Sequence, residues 1–292
     1  MIKRHYIENG RGGQIHLAEA GSPSKTHPSI LLLHQTPRSW DEFKEVMKRL
    51  SSDCHLIAMD LPGMGASSQI SVTPSIEDYA QAAAIVIRHF GSTPMIICGH
   101  HTGGVAAIEV AASAPELVAS LVLSSTPWLD PDIRRARAEK SPIDTATLAR
   151  DGTHLMDYWR QRSPYYPEQT DFMNRFISDA LKTTDPAAGH LAVGQYQMEK
   201  RVSKITCPVL IIEHMKDPFA VQHTPHLKIA FPQAAFEQIL HGHVALEVRP
   251  RNLQRFYGSG FFGKGAWRDE FINDMPMRRS EIRPSTGSRV YQ

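Results

Sequence analysis

Five short apolar runs constrain this chain more than any other feature: SILLLH (29–34), CHLIAMD (54–60), MIICG (95–99), LVLSS (121–125) and VLIIEH (209–214). Each is nearly continuous in hydrophobic residues, so neither of its faces is suited to water. Strands of that kind must be covered on both sides, and the long separations between runs leave room for the helices that cover them. The expectation is a parallel sheet between two helical layers. SIEDYAQAAAIVIRHF (75–90) illustrates the helices. Ser75 and Asp78, after Pro74, make a capping-box start, and Ile76, Tyr79, Ala83, Val86, Ile87 and Phe90 recur at helical spacing. QIHLAEAGS (14–22) reads as an antiparallel leading strand that ends in a turn.

Between residues 125 and 209 more than 80 residues pass without a strong strand signal. They hold Trp128, Tyr158, Trp159, Tyr165 and Tyr166, with helical patterns such as TDFMNRFISDALK (170–182). The expected organisation is a sheet domain begun by residues 1–126, a helical cap over 127–205, and a return to the sheet domain over 206–257. The tail, 258–292, is rich in Gly, Arg and Ser and is expected to pack poorly. A chain of 292 residues can bury one large core of this kind. A formal net charge of +2 gives no reason to expect nucleic acid or a membrane surface as partner, and no apolar run approaches a bilayer span. The start MIKRHYIENGRGG has no apolar segment of a secretory signal, and three cysteines are too few for a disulfide framework. Packed, reduced thiols in a cytoplasmic protein are the expectation.

Reactive residue types concentrate at IICGHHTGG (96–104). An apolar run meets Gly-His-His-Thr-Gly, the pattern Gly-x-nucleophile-x-Gly of a sharp strand-to-helix turn. Such a turn forces its central residue, here His101, to positive φ, where His is among the enriched residue types. Gly99 and Gly103 suit a place where strand and helix approach too closely for side chains. Taken alone, the segment also fits a glycine-containing loop with two surface histidines.

Its context is more specific. LLLHQTPRSWDEF (31–43), MDLPGMGASS (59–68), GHHTGGVAAIEVA (99–111), PVLIIEHMKDPF (208–219) and HGHVALEVRP (241–250) resemble, in order, the core motifs of the α/β-hydrolase fold. The resemblance covers roughly residues 10–257 and leaves the tail aside. It implies a mostly parallel eight-stranded sheet with helices on both faces and a helical cap insertion. It also implies roles for single residues. Asp217 falls where the family keeps its triad acid, and His243 matches the mobile-loop histidine, with His241 as rival. Asp217 would then fix the tautomer of His243. The implied oxyanion amides are those of Thr102, which follows the elbow residue, and Thr36 in HQTP. Where the family usually has His-Gly, this chain has His34-Gln35. Gln35 either donates a further hydrogen bond into the site or packs under the loop.

Three uses of His101 are open at this stage. It can be an imidazole nucleophile. It can assist a His243–Asp217 base acting on water or substrate, in a hydrolase or in a non-hydrolytic lyase or decarboxylase. Or it can mark a binding protein of this fold that has lost catalysis. The expected ligand is a small molecule with a carbonyl, ester or lactone group, and Trp128 with the other cap aromatics suggests an apolar or aromatic one. His101, His243 and Asp217 would form a two-histidine, one-carboxylate metal set, but an aspartate that orients His243 is not itself a ligand. No metal and no cofactor are expected.

Overall fold

The computed structural model describes residues 1–91, 93–140, 143–165 and 170–240. The five apolar runs lie side by side within a sheet of eight strands. These are β1 (Lys3–Glu8), β2 (Gln14–Ala20), β3 (Ile30–Leu33), β4 (Leu56–Met59), β5 (Met95–His100), β6 (Val118–Ser124), β7 (Val209–His214) and β8 (Ala235–Ile239). Their order is β1-β2-β4-β3-β5-β6-β7-β8. β2 pairs antiparallel with β1 and β4, and every other pairing is parallel.

Burial explains why the central runs lack alternation. Every residue of β3, β4, β5 and β7 is buried. Leu31 and Leu33 point into one apolar cluster, with Val86 and Ile108, while Leu32 joins another with Phe43, Val46 and Met47. The covering elements are α1 (Lys44–Leu50) on one face and α2 (Ile76–His89) and α3 (Thr102–Ser113) on the other. At the start of α2 the Ser75 hydroxyl accepts the Asp78 N–H, and the Asp78 carboxylate accepts the Ser75 N–H, both at 3.1 Å. Two of the first turn's orphan donors are satisfied in this way.

Between β6 and β7 the described residues hold α4 (Pro131–Ala138), α5 (Thr153–Arg162), α6 (Thr170–Lys182) and α7 (Ala188–Gln195), with no strand among them. α6 is fastened to the loop after β3. The Arg38 Nε donates to Asp179 Oδ2 at 3.0 Å, the Ser39 hydroxyl to Asp179 Oδ1 at 2.9 Å, and the Thr183 hydroxyl to the Pro37 carbonyl at 3.3 Å. α8 (Thr224–Ala230) follows β7 and packs on it. No helix among the described residues is long and apolar enough to cross a membrane. His241, His243, the return segment from 241 and the tail lie outside the described residues.

Candidate active site

His101 sits between β5 and α3 with φ 45° and ψ −112°. A non-glycine residue held there costs about 1–3 kcal/mol, which its surroundings must offset. Its N–H donates to the Ser124 carbonyl of β6 at 3.1 Å, and its own carbonyl receives the N–H groups of Gly104 and Val105. The flanking glycines are there for contact. A Cβ on Gly99 would strike the backbone of Gly103, and one on Gly103 would strike the Leu33 carbonyl. The elbow is therefore wedged against the middle of the sheet.

Asp217 lies in the loop after β7 and is 3% exposed. Its Oδ1 accepts the N–H groups of Phe219 (2.9 Å) and Ala220 (3.1 Å), and its Oδ2 lies 2.6 Å from His101 Nε2. Burial alone would raise this carboxyl. The charge and hydrogen bond of His101 outweigh it and hold the group well below the usual carboxylate range. An ionised carboxylate only accepts, so Nε2 carries a hydrogen toward Asp217, and in the tautomer with that single ring hydrogen the basic lone pair lies on Nδ1. Nδ1 has no hydrogen-bond partner among the described residues, and the side chain is 17% exposed. The family resemblance implies that Asp217 serves His243. In the structure its Oδ2 is taken by His101, and His243 lies outside the described residues.

The two amides named from the sequence are neighbours. Thr102 is the first residue of α3, so its N–H has no acceptor within the helix. The Thr36 N–H reaches the Thr102 hydroxyl at 3.5 Å, the limit of a hydrogen bond. The loop carrying Thr36 is held from below. The Gln35 N–H donates to Glu42 Oε2 at 2.9 Å, and the Gln35 side-chain amide donates to Glu42 Oε1. Gln35 thus directs that amide onto Glu42, beneath the loop. Burial pushes the Glu42 carboxyl up, against the pull of Arg38 and of the Gln35 amide. His34 ties the same loop to the next one: its Nδ1 donates to the Gln35 carbonyl at 2.7 Å, and its Nε2 accepts the Leu61 N–H at 2.9 Å. From the cap, Gly189 of α7 packs so closely on Thr36 that a Cβ there would strike the Thr36 hydroxyl.

Behind this pair stands a constellation that the sequence reading did not name. His100 Nδ1 lies 3.0 Å from the Ser124 hydroxyl, which lies 2.9 Å from His214 Nε2. The His100 ring meets His101 edge to face at 4.6 Å. Burial, then the neighbouring His101 and His214, hold His100 well below the ordinary histidine value, and burial holds His214 down to about 4. Both rings are neutral near pH 7. His100, Ser124 and His214 are the last residues of β5, β6 and β7. The available signal was a polar residue closing each apolar run, at the strand ends where parallel sheets place their ligands. Trp128, named as a ligand contact, is 9% exposed, donates its indole N–H to Asp130 at 2.9 Å and stacks on His226. Among the described residues no cluster of three or more His, Cys, Asp and Glu is placed to hold a metal ion.

Residues 30–255 match the family model described as "Alpha/beta hydrolase family". Epoxide hydrolase B of Mycobacterium tuberculosis is 28% identical over 131 residues, covering 44% of this chain and 37% of that protein. The match thus spans only about a third of that relative's length. The (E)-2-((N-methylformamido)methylene)succinate hydrolase of Acinetobacter baylyi is 20% identical over 220 residues, 73% of this chain and 76% of that one. The enol-lactonase from Burkholderia xenovorans LB400 superposes with a TM-score of 0.70 at 16% identity, over 87% of this chain and 98% of its own. At that identity the likeness is one of fold.

Proposed function

The chain belongs to the alpha/beta hydrolase family, and on that premise we propose that it hydrolyses a small ester, lactone or related carbonyl compound with the His101–Asp217 pair as base. The observation that carries this reading is the 2.6 Å contact between His101 Nε2 and Asp217 Oδ2, which leaves Nδ1 as the basic nitrogen. In this reading Nδ1 takes a proton from a water molecule as its oxygen attacks the carbonyl carbon. Asp217 stabilises the imidazolium that results. The tetrahedral oxyanion accepts hydrogen bonds from the Thr36 and Thr102 amides. The bond to the leaving group then breaks, and that group leaves with the proton. His243, on the resemblance, is assigned an assisting imidazole, Gln35 the support of the Thr36 loop, and Trp128 the apolar wall. Base catalysis of this kind typically contributes about 10²–10⁴-fold, and a well-aimed oxyanion donor about 3–4 kcal/mol. The reading asks for no covalent bond to an imidazole confined in a positive-φ turn.

Assays on short-chain aryl esters and lactones test it. His101→Ala and Asp217→Asn are each expected to lower kcat/KM by about 10²–10⁴-fold without loss of folded signal. Parent-like turnover by His101→Ala refutes the base. An acyl mass increment on the peptide containing His101 replaces it with an imidazole nucleophile.

A further inference from the structure

His101 and Asp217 are joined a second time, from behind. The Asp217 N–H donates to the His214 carbonyl at 2.9 Å. The His214 ring then reaches back across the sheet: its Nε2 lies 2.9 Å from the Ser124 hydroxyl, which lies 3.0 Å from His100 Nδ1. The His100 ring meets the His101 ring edge to face, with centroids 4.6 Å apart and planes at 88°. The circuit closes at the 2.6 Å contact of His101 Nε2 with Asp217 Oδ2. Ser124 is bound into it twice, since its carbonyl also accepts the His101 N–H at 3.1 Å.

The sheet explains why these groups hold their places. His100, Ser124 and His214 close three adjacent parallel strands, with His100 in register with Ser124, and all three are buried. The rings of His100 and His214 also meet edge to face, at 5.7 Å. Ser125, the next residue, is held at φ 44°, as His101 is at 45°. Two strained residues thus follow adjoining strands, and such conformations persist only where the surroundings over-determine them.

A hydroxyl gives one hydrogen and also accepts, so Ser124 can donate to one imidazole while the other donates to it. Burial keeps both rings neutral near pH 7, and they bring no charge that competes with His101 for Asp217. The elbow backbone places the His101 Cα, but two side-chain torsions remain to aim the imidazole. The His100 ring, standing against it nearly at a right angle, takes up part of that freedom.

We propose that Ser124, with His100 and His214, is a positioning residue for the reaction: the circuit holds the His101 imidazole in line with Asp217. The three act through His101. The assignment rests on the reading of His101 as base, which makes the direction of that ring set the rate.

Proton NMR of the full chain reads the ring directly and needs no substrate. The hydrogen between His101 Nε2 and Asp217 is expected at unusually low field, and its loss in Asp217→Asn identifies it. Ser124→Ala removes the hydroxyl and leaves the carbonyl that holds the elbow. It is expected to broaden or erase that signal, and to lower kcat on aryl esters by about 10- to 100-fold with KM within about twofold. Ser124→Thr, which keeps the hydroxyl, is expected to restore much of both. Where Ser124→Ala does not fold, His100→Phe, which keeps a ring and loses the bond to Ser124, takes its place with the same expected direction. A parent-like signal and kcat in folded Ser124→Ala, or in the His100→Phe that stands in for it, overturns the brace. Loss of the signal in Ser124→Ala, with no ester or lactone turned over by the parent, sinks the base reading and leaves the brace. Turnover that needs His101 but ignores Ser124 does the reverse.

Discussion

His101 and Asp217 are 116 positions apart in the chain and 2.6 Å apart in space, and each sets the chemistry of the other. The carboxylate keeps the imidazole in one tautomer. The imidazole keeps the carboxylate ionised inside the protein, where burial alone would favour the neutral acid. Groups that act as such a unit do not contribute additively. Combining His101→Ala with Asp217→Asn is therefore expected to lower kcat/KM by less than about tenfold beyond His101→Ala alone. Losses that multiply in the double variant would mean that the two side chains act separately.

At the scale of elements, the elbow depends on how closely α3 approaches β3. Gly103→Ala drives a methyl group into the Leu33 carbonyl, a backbone atom that cannot swing aside. It is expected to cost about 1–3 kcal/mol or more in urea denaturation. Gly194→Ala in α7 meets nothing within 4 Å and is expected to gain about 0.5–1 kcal/mol. Equal effects of the two would remove the close-contact explanation. The same contrast between buried and open surroundings decides what was legible in the sequence. β3, β4, β5 and β7 could be read because burial on both faces demands unbroken apolar runs. β1 was not named, since only Ile7 of its six residues is buried, and neither was β8, where only Ile239 of AFEQI is. β6 starts at Val118, ahead of the expected 121, through Ala119 and Ser120, which carry little apolar signal. The elbow could be read because its glycines and central residue obey a local steric rule. The pairing of Asp217 with His101 could not, because spacing along a chain does not say which of several imidazoles a carboxylate meets.

For the molecule as a whole, buried neutral histidines make stability depend on pH. His34 and His100 are lowered by burial, and His214 is pushed down to about 4. An unfolded His214 takes up its proton near pH 6.5, whereas the folded one does so only near 4. Between those values the unfolded chain binds more protons, so stability falls as pH falls through that window. For His214 alone the loss approaches roughly 3 kcal/mol at the lower end. Asp217 acts with the same sign in a lower window: its depressed carboxyl stabilises the fold above about pH 4, and that contribution is lost on further acidification. The urea midpoint is thus expected to drop steadily from pH 7 to pH 5, with a shallower slope in His214→Gln. A flat midpoint over that range would contradict the burial of these rings. The grip of Arg38, Ser39 and Pro37 on α6 has a mechanical corollary. α6 is thereby tied to the same strip of backbone that carries Thr36. On the proposed reading of the Thr36 amide as an oxyanion donor, any displacement of α6 would carry that donor with it, which couples the position of the helix to the aim of the amide.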